Sequence, residues 1–406
     1  MSIELTRAPR MRPIEAVPVD LDDGPAIVLR DPTRVSPAPM AVSEPVVFIV
    51  AQLDGQTTLA TVRERFRQRY GQALDADTLV ELIERLEVAH FLEGDRFEQH
   101  YASLADAYRQ AGLRQIRVAQ DHDKSAEDIR VYFDQILSEA APTDDGDGLI
   151  GLIAPHLDYP RGRPCYASAY AALGRHAAPK RVVILGTNHF GRSHAAVATV
   201  AAFDSPLGRT DADVAFIERL ERACGPLRRF EFDHANEHSV ELQVLWLQHL
   251  FGAGSFTIVP VLCPDPCGPT GTAPREGTGV DLAHFARVLG ELIAEDPDDT
   301  LVVAGADLSH VGGAFGDAWL LDDDFLGHVR RLDAVLLEHM GAVRPELLRE
   351  RVAGRANCTR VCSVGCVYAL MAALPSARAR VLGYHQAVDE PSQTCVTCAA
   401  VSFHVA

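Results

Sequence analysis

The chain has 406 residues, 47% of them hydrophobic, a net charge of −18 and nine cysteines. A core of two or three ordinary domains is affordable at this length, although a single large α/β domain can itself reach about 250 residues. The acidic balance argues against a general nucleic-acid or anionic-membrane binder, since phosphate recognition needs clustered Lys and Arg.

No apolar stretch approaches the ~18 residues of a membrane span, and the first twenty residues lack the apolar core of a signal peptide. A cytoplasmic setting with reduced thiols is therefore expected, the more so because nine is an odd number of cysteines.

Residues 1–43, rich in Pro, Arg and Asp without periodicity, are read as an extended arm. Residues 44–141 are read as a winged-helix-like and helical module. Within it, Pro45–Leu53 is apolar and Asp54-Gly55 marks a turn. Thr58–Tyr70 is an amphipathic helix stopped by Gly71, and Asp75–Val88 is a second helix opening on an Asp cap. Phe91–Phe97 reads as a strand, a Gly turn and a second strand, and helices follow over 101–111 and 125–140. The acidic, turn-forming run 142–148 is the expected joint before the last part of the chain.

From 149 to 406 strands and helices alternate, predicting an α/β fold with a mostly parallel sheet covered on both faces. The strands are expected at 149–154, 181–186, 195–200, 256–262, 300–305, 380–383 and 396–405. The helices are expected at 165–177, 210–223, 239–250, 281–294, 326–340 and 364–375. Residues 263–280 form a Pro/Gly/Thr-rich loop, a lid or a solvated insertion.

Three of these apolar runs end in short polar tails with histidine: Pro155-His156 after 149–154, Thr187-Asn188-His189 after 181–186, and Asp307-Leu308-Ser309-His310 after 300–305. Ligands of open α/β sheets sit outside the carboxyl ends of the strands, so these tails converge on one metal or acid–base site. Glu237, His238 and Glu241 open the 239–250 helix and add a further histidine. Neutral imidazole is a common ligand of Fe, Cu, Ni and Zn, and carboxylates complete many such sites.

Cys358, Cys362 and Cys366 recur every four residues and would share one helix face. Cys395 and Cys398 form a C-x-x-C whose thiols a strand would point to opposite faces. Both sets are read as core packing, with a zinc site as the alternative. No G-x-G-x-x-G, Walker A or G-x-S-x-G follows a strand, so nucleotide and serine-hydrolase readings find no support.

The segments Ala154–Tyr159, Gly186–Gly191, Phe203–Gly208, Glu237–Glu241, Pro260–Leu262, Ala306–Gly312 and Arg360–Leu374 resemble the motifs of the MEMO family. Bacterial members of that family are labelled AmmeMemoRadiSam system protein B. The resemblance spans about 149–406 and implies a fold like that of class III extradiol dioxygenases, which are non-haem iron enzymes. It places His156 and His189 at two metal positions and Asp307, His310 and His238 in the pocket around them. The family's cysteine ligand, aligned on the tyrosine of GYHQAVDEPSQTC, falls near Glu390; Asp389 lies beside it and Cys395 further on.

His156, His189 and Glu390 would then form a facial triad of two histidines and a carboxylate, suited to Fe(II), with Cu or Zn as alternatives. His310, held by Asp307, would act as acid or base, with His238 second. Residues 44–100, through LDGQTTLATV and their helices, resemble the small peptide chaperones of pyrroloquinoline quinone biosynthesis. Three readings follow: a dioxygenase-like oxidoreductase acting on a small molecule or peptide, a non-catalytic peptide-binding protein, and a zinc-dependent hydrolase. The system label points to a radical-enzyme partner. The motifs select no substrate, and catalysis itself stays open.

Overall fold

A computed structural model describes residues 5–21, 24–36, 38–117, 125–141, 148–296, 299–318 and 320–406. The chain divides into two compact units, Met1–Gln110 and Ala111–Ala406.

In the first unit, β1 (Glu15–Leu21), β2 (Gly24–Arg30) and β3 (Met40–Val42) form an antiparallel sheet in that order. The segment expected as an extended arm therefore holds a three-stranded sheet. Its signal is the alternation of Val17 and Val19 and of Ile27 and Leu29, the period of a half-buried strand. Four helices follow: α1 (Glu44–Val50), α2 (Leu59–Tyr70), α3 (Ala76–Val88) and α4 (Asp95–Ala111).

The Thr58 side chain caps α2 by accepting from Thr61 N, and Gly71 ends it at φ 69°, where a side chain would be strained. Leu29, Ile49, Leu59, Val62, Leu79, Ile83 and Phe91 make the core of this unit. The expected hairpin over 91–97 does not form. Leu92 makes only an isolated bridge to Met11, and Phe97 is buried on α4. The reason is the spacing Phe97, Tyr101, Ala105, one residue per helical turn, which outweighs a three-residue turn signal.

The second unit begins earlier than the run 142–148, most of which (142–147) lies outside the described residues. β4 (Leu113–Gln115) pairs with β8 (Ala202–Ser205), and β8 with β9 (Gly208–Thr210). α5 (Ala126–Ser138), expected in the N-terminal module, sends Ile129, Phe133 and Ile136 into the core of this second unit.

The main sheet has a parallel centre in the order β5 (Leu149–Ala154), β11 (Thr300–Gly305), β6 (Arg181–Thr187), β10 (Thr257–Cys263). The two-residue β7 (Val197–Ala198) closes one side antiparallel to β10. On the other side β14 (Thr394–His404) runs antiparallel to β5 over its second half and to β12 (Asp307–Gly312) over its first. β13 (Arg378–Asp389), three times the expected length, flanks β14 throughout.

The parallel strands are apolar on both faces. Val183, Leu185, Val259, Val261, Val302 and Ala304 pack against α7 (Val214–Cys224), α9 (Leu282–Ala294) and α12 (Val364–Ala373). Val182, Ile184, Ile258, Leu262, Leu301 and Val303 pack against α5, α6 (Tyr159–Leu173) and α8 (Glu241–Phe251). Burial on both faces is what a parallel sheet requires, and it explains why these strands read as continuous apolar runs. α10 (Asp323–Gly341) and α11 (Pro345–Ala353) complete the unit. Residues 264–281 hold no helix or strand.

Candidate metal centre

Strand register builds the site. Gly305 lies opposite Ala154, and Ala304 opposite Leu185, so the three strands stop at one level and their tails emerge together. His156 follows β5 by two residues. Its Nδ1 donates to Gly305 O at 2.9 Å, which fixes the tautomer and leaves Nε2 without a proton. His189 follows β6 by two residues, with Nδ1 3.1 Å from Glu237 Oε1. The two rings meet edge to face with centroids 4.9 Å apart.

The third member is Cys362. Its Sγ lies 3.3 Å from His156 Nε2, and the ligand atoms of His156, His189 and Cys362 all fall within 4.8 Å of one another. Imidazoles tied at Nδ1 to a carbonyl and to a carboxylate are the usual outer-shell arrangement of metal-ligating histidines. Two imidazoles and a thiol suit Fe, Cu or Zn, and a bound cation would draw off the thiol proton.

Glu390 is not brought into this group. It lies exposed in the turn between β13 and β14, while Cys362 stands beside His156. The alignment on Tyr384 followed the hairpin, but the thiol comes from the loop before α12. Asp389 pairs with Thr394 at the end of the same hairpin, and Cys395 is buried with Val311 and Val329. The expectation that Cys358, Cys362 and Cys366 share a helix face also fails, because α12 begins only at Val364. Cys358 is exposed, and Cys366 is buried with its Sγ 3.3 Å from Thr187 Oγ1. Sequence reasoning passed over Cys362 because a cysteine ahead of an apolar helix looks like core.

Glu237 was the other residue without a predicted role. Only 1% exposed, its carboxylate accepts from the backbone N–H of His189 (3.0 Å), His238 (2.8 Å) and Ser239 (2.9 Å) as well as from the His189 ring. Burial pushes its pKa up, but the His189 charge and these hydrogen bonds prevail and hold it far below the carboxylate range. Burial opposes the His189 cation, yet Glu237 and the Cys362 thiol draw its pKa well above the ordinary value. His156 goes the other way, pushed down by burial and by the neighbouring His189. Replacing Glu237 with Gln, which cannot accept on both sides, should weaken metal binding by about 10–100-fold. Titration with Co(II) checks this, and an unchanged affinity would deny Glu237 its role.

Asp307 and His310 do not form the expected pair. Asp307 Oδ1 accepts from His156 N at 3.1 Å, and burial pushes its carboxyl up to about 7. His310 turns its Nδ1 to Leu308 O at 3.1 Å and its ring toward Phe315, and burial lowers it to about 4. β12 is extended, so a residue three positions on points to the other face. His238 is brought in: its side chain is 41% exposed, and its ring stacks on His189 at 5.0 Å.

His234, close in sequence, is fully buried with Nε2 2.9 Å from Val197 O, and burial lowers it from 6.5 to about 4. The folded ring stays neutral where the unfolded one takes up a proton. Its contribution is therefore complete above pH 6.5 and fades as the pH falls toward 4, by about 3 kcal/mol in all. In urea titrations across that range His234→Gln, which keeps a donor for Val197 O, should show a flatter pH dependence than the wild type. An equally steep decline in the variant would remove His234 as its cause.

A mostly parallel, doubly covered sheet that gathers two imidazoles and a thiol beyond its strand ends defines an α/β protein with a compact His/His/Cys cluster. The family described as Memo-like protein matches residues 114–402, and the chain belongs to that family. A MEMO1 family protein of Methanopyrus kandleri is 37% identical over 174 residues, 41% of this chain and 56% of its own length; the chain thus matches little more than half of that relative. A MEMO1 family protein of Thermus thermophilus is 26% identical over 84% of this chain and 97% of its own. The solved structure of an uncharacterized Escherichia coli protein aligns with 63% of this chain and 99% of its own, at 14% identity and a TM-score of 0.38.

Proposed function

We propose that the protein binds a redox-active transition metal, Fe(II) foremost, through His156, His189 and Cys362, and uses it to oxidise a small molecule or peptide. The observation behind this reading is that both imidazoles are tied at Nδ1 while a thiol lies beside them. Bound iron would supply a redox centre with open coordination positions. The chain's own part is to orient and to handle protons. Asp307 can exchange a proton near neutral pH, His310 is a neutral base, and the partly exposed His238 stands at the edge of the cluster.

Metal analysis of protein purified without oxygen tests the proposal. One Fe(II) per chain with O2 consumption on addition of substrate supports it. Stoichiometric zinc with no redox response would replace it with a hydrolase, in which the metal activates water. Protein that takes up no transition metal would overturn it.

A second reading draws on the first unit. β3 is an edge strand, and beside it Met40, Glu81, Glu84, Arg85, Val88 and Ala89 line a cleft of about 650 Å³. An extended peptide could add to β3 by main-chain hydrogen bonds and seat alternate side chains in that cleft. Val88 is exposed there, and Val88→Asp should abolish retention of peptides from a synthetic library; undiminished retention would move the peptide elsewhere. No described helix is long and apolar enough to cross a membrane.

A further inference from the structure

The turn Ala235–Glu237 carries the carboxylate that orients His189, yet it belongs to neither a strand nor α8. Ala235 and Asn236 close a short 3-10 turn (Glu231–Asn236), Glu237 caps it by donating its N–H to His234 O, and the helix begins four residues later. Side chains hold its backbone as well. On one side Glu237 itself does so, collecting the N–H groups of His189, His238 and Ser239. On the other side stands Arg114.

Arg114 comes from β4, the three-residue strand of the small sheet, and is only 4% exposed. Its Nη2 donates to the carbonyl of Glu237 and lies 2.8 Å from Glu241 Oε2, and its Nε reaches the carbonyl of Ala235 at 3.4 Å. The guanidinium lies 5.0 Å from the Phe203 ring centroid. Nη1 has no hydrogen-bond partner among the described residues. A buried ion pair with Glu241 is weak evidence of stabilisation, because desolvation offsets the attraction. Stability alone therefore gives no reason for a guanidinium here, and still less for aiming its donors at two carbonyls of one turn. A planar fork can reach both carbonyls and the Glu241 carboxylate at once; an ammonium cannot.

We infer that Arg114 is a positioning residue: it pins the carbonyl side of the 235–237 turn and so sets Glu237 against His189, holding the ring with its Nδ1–H on that carboxylate and, once neutral, in the Nδ1–H form with Nε2 turned to Cys362. The inference rests on the reading of His189 as a metal ligand only for its consequence in metal binding. The tautomer it predicts belongs to the metal-free protein.

The test compares the full-length wild type with Arg114→Met/Glu241→Leu and with Glu241→Gln. The double variant removes both buried charges together and so avoids stranding either one. Long-range 1H–15N spectra of metal-free, 15N-histidine-labelled protein, taken at a pH high enough for the His189 ring to be neutral, report its tautomer, assigned with His189→Gln, and Co(II) titration reports affinity.

The expected result is a double variant that unfolds cooperatively in urea, shows mixed His189 tautomers and binds Co(II) about 10–100-fold more weakly. Glu241→Gln keeps both carbonyl contacts and should match the wild type in tautomer and affinity. A folded double variant with a single Nδ1–H tautomer would overturn the inference. So would loss of that tautomer in Glu241→Gln, which decides the matter even if the double variant fails to fold, since the ion pair and not the carbonyl contacts would then set the ring. Should the wild type bind no Co(II), the metal reading falls while the tautomer still judges Arg114.

Discussion

Cys362→Ala is expected to abolish stoichiometric metal binding, while Glu390→Ala leaves it unchanged. The thiol is one of only three protein groups in the cluster, with its sulfur 3.3 Å from His156 Nε2. Losing a ligand must cost more than losing an outer-shell partner, so the affinity should fall by more than about 100-fold. Cys362→Ser, with a harder and less acidic donor, should retain a fraction of the binding and shift preference away from soft metals. Glu390 lies in an exposed turn and has no part in the cluster. Metal content after dialysis and competition with a chelator read both variants. Full occupancy in Cys362→Ala, or depletion in Glu390→Ala, would reverse the assignment of the third ligand.

Trp246→Ala is expected to cost about 3–5 kcal/mol of stability, the range for truncating a large buried aromatic. Trp246 on α8 is fully buried and sandwiched between Phe133, at 4.0 Å between ring centroids, and Tyr170, at 4.7 Å, both nearly parallel to it. This stack also supports the site. One turn before Trp246, Gln243 donates from Nε2 to Pro155 O at 2.7 Å and accepts from Tyr170 OH at 2.6 Å, so it ties the aromatic layer to the residue before His156. Trp246→Phe should cost less, since it retains a ring in the stack and removes an indole N–H that has no partner among the described residues. Urea unfolding measures both. A loss below 1 kcal/mol in the alanine variant would mean that the stack contributes little.

The amount of the site legible in the sequence follows from chain distance. His156 and His189 could be found because each lies two residues beyond an apolar, β-branched run, and a parallel strand delivers whatever follows it to the carboxyl edge of the sheet. Asp307 could be found in the same way. Its partner could not, since Asp307 meets His156, 151 residues away, rather than His310, three residues on. Cys362 lies 206 residues from His156 and ahead of a wholly apolar helix. Buried cysteine is common in such helices, so nothing local separates a ligand from a core thiol. Glu237 was visible as a carboxylate beside a histidine, but its service to His189 depends on how the loop turns.

The N-terminal unit shows the converse. The alternation of Val17, Val19, Ile27 and Leu29 is a local signal that the abundance of Pro, Arg and Asp obscured, and Phe97 obeyed helical spacing where a glycine suggested a hairpin.

By itself the sequence determined the parallel centre of the sheet, its two apolar faces and the histidines at its strand ends, because hydrophobic period and turn residues act over a few positions. The tertiary structure decided which thiol joins those histidines, which carboxylate orients His189 and which way Asp307 turns, because each depends on elements 48 to 206 residues apart meeting within about 3 Å.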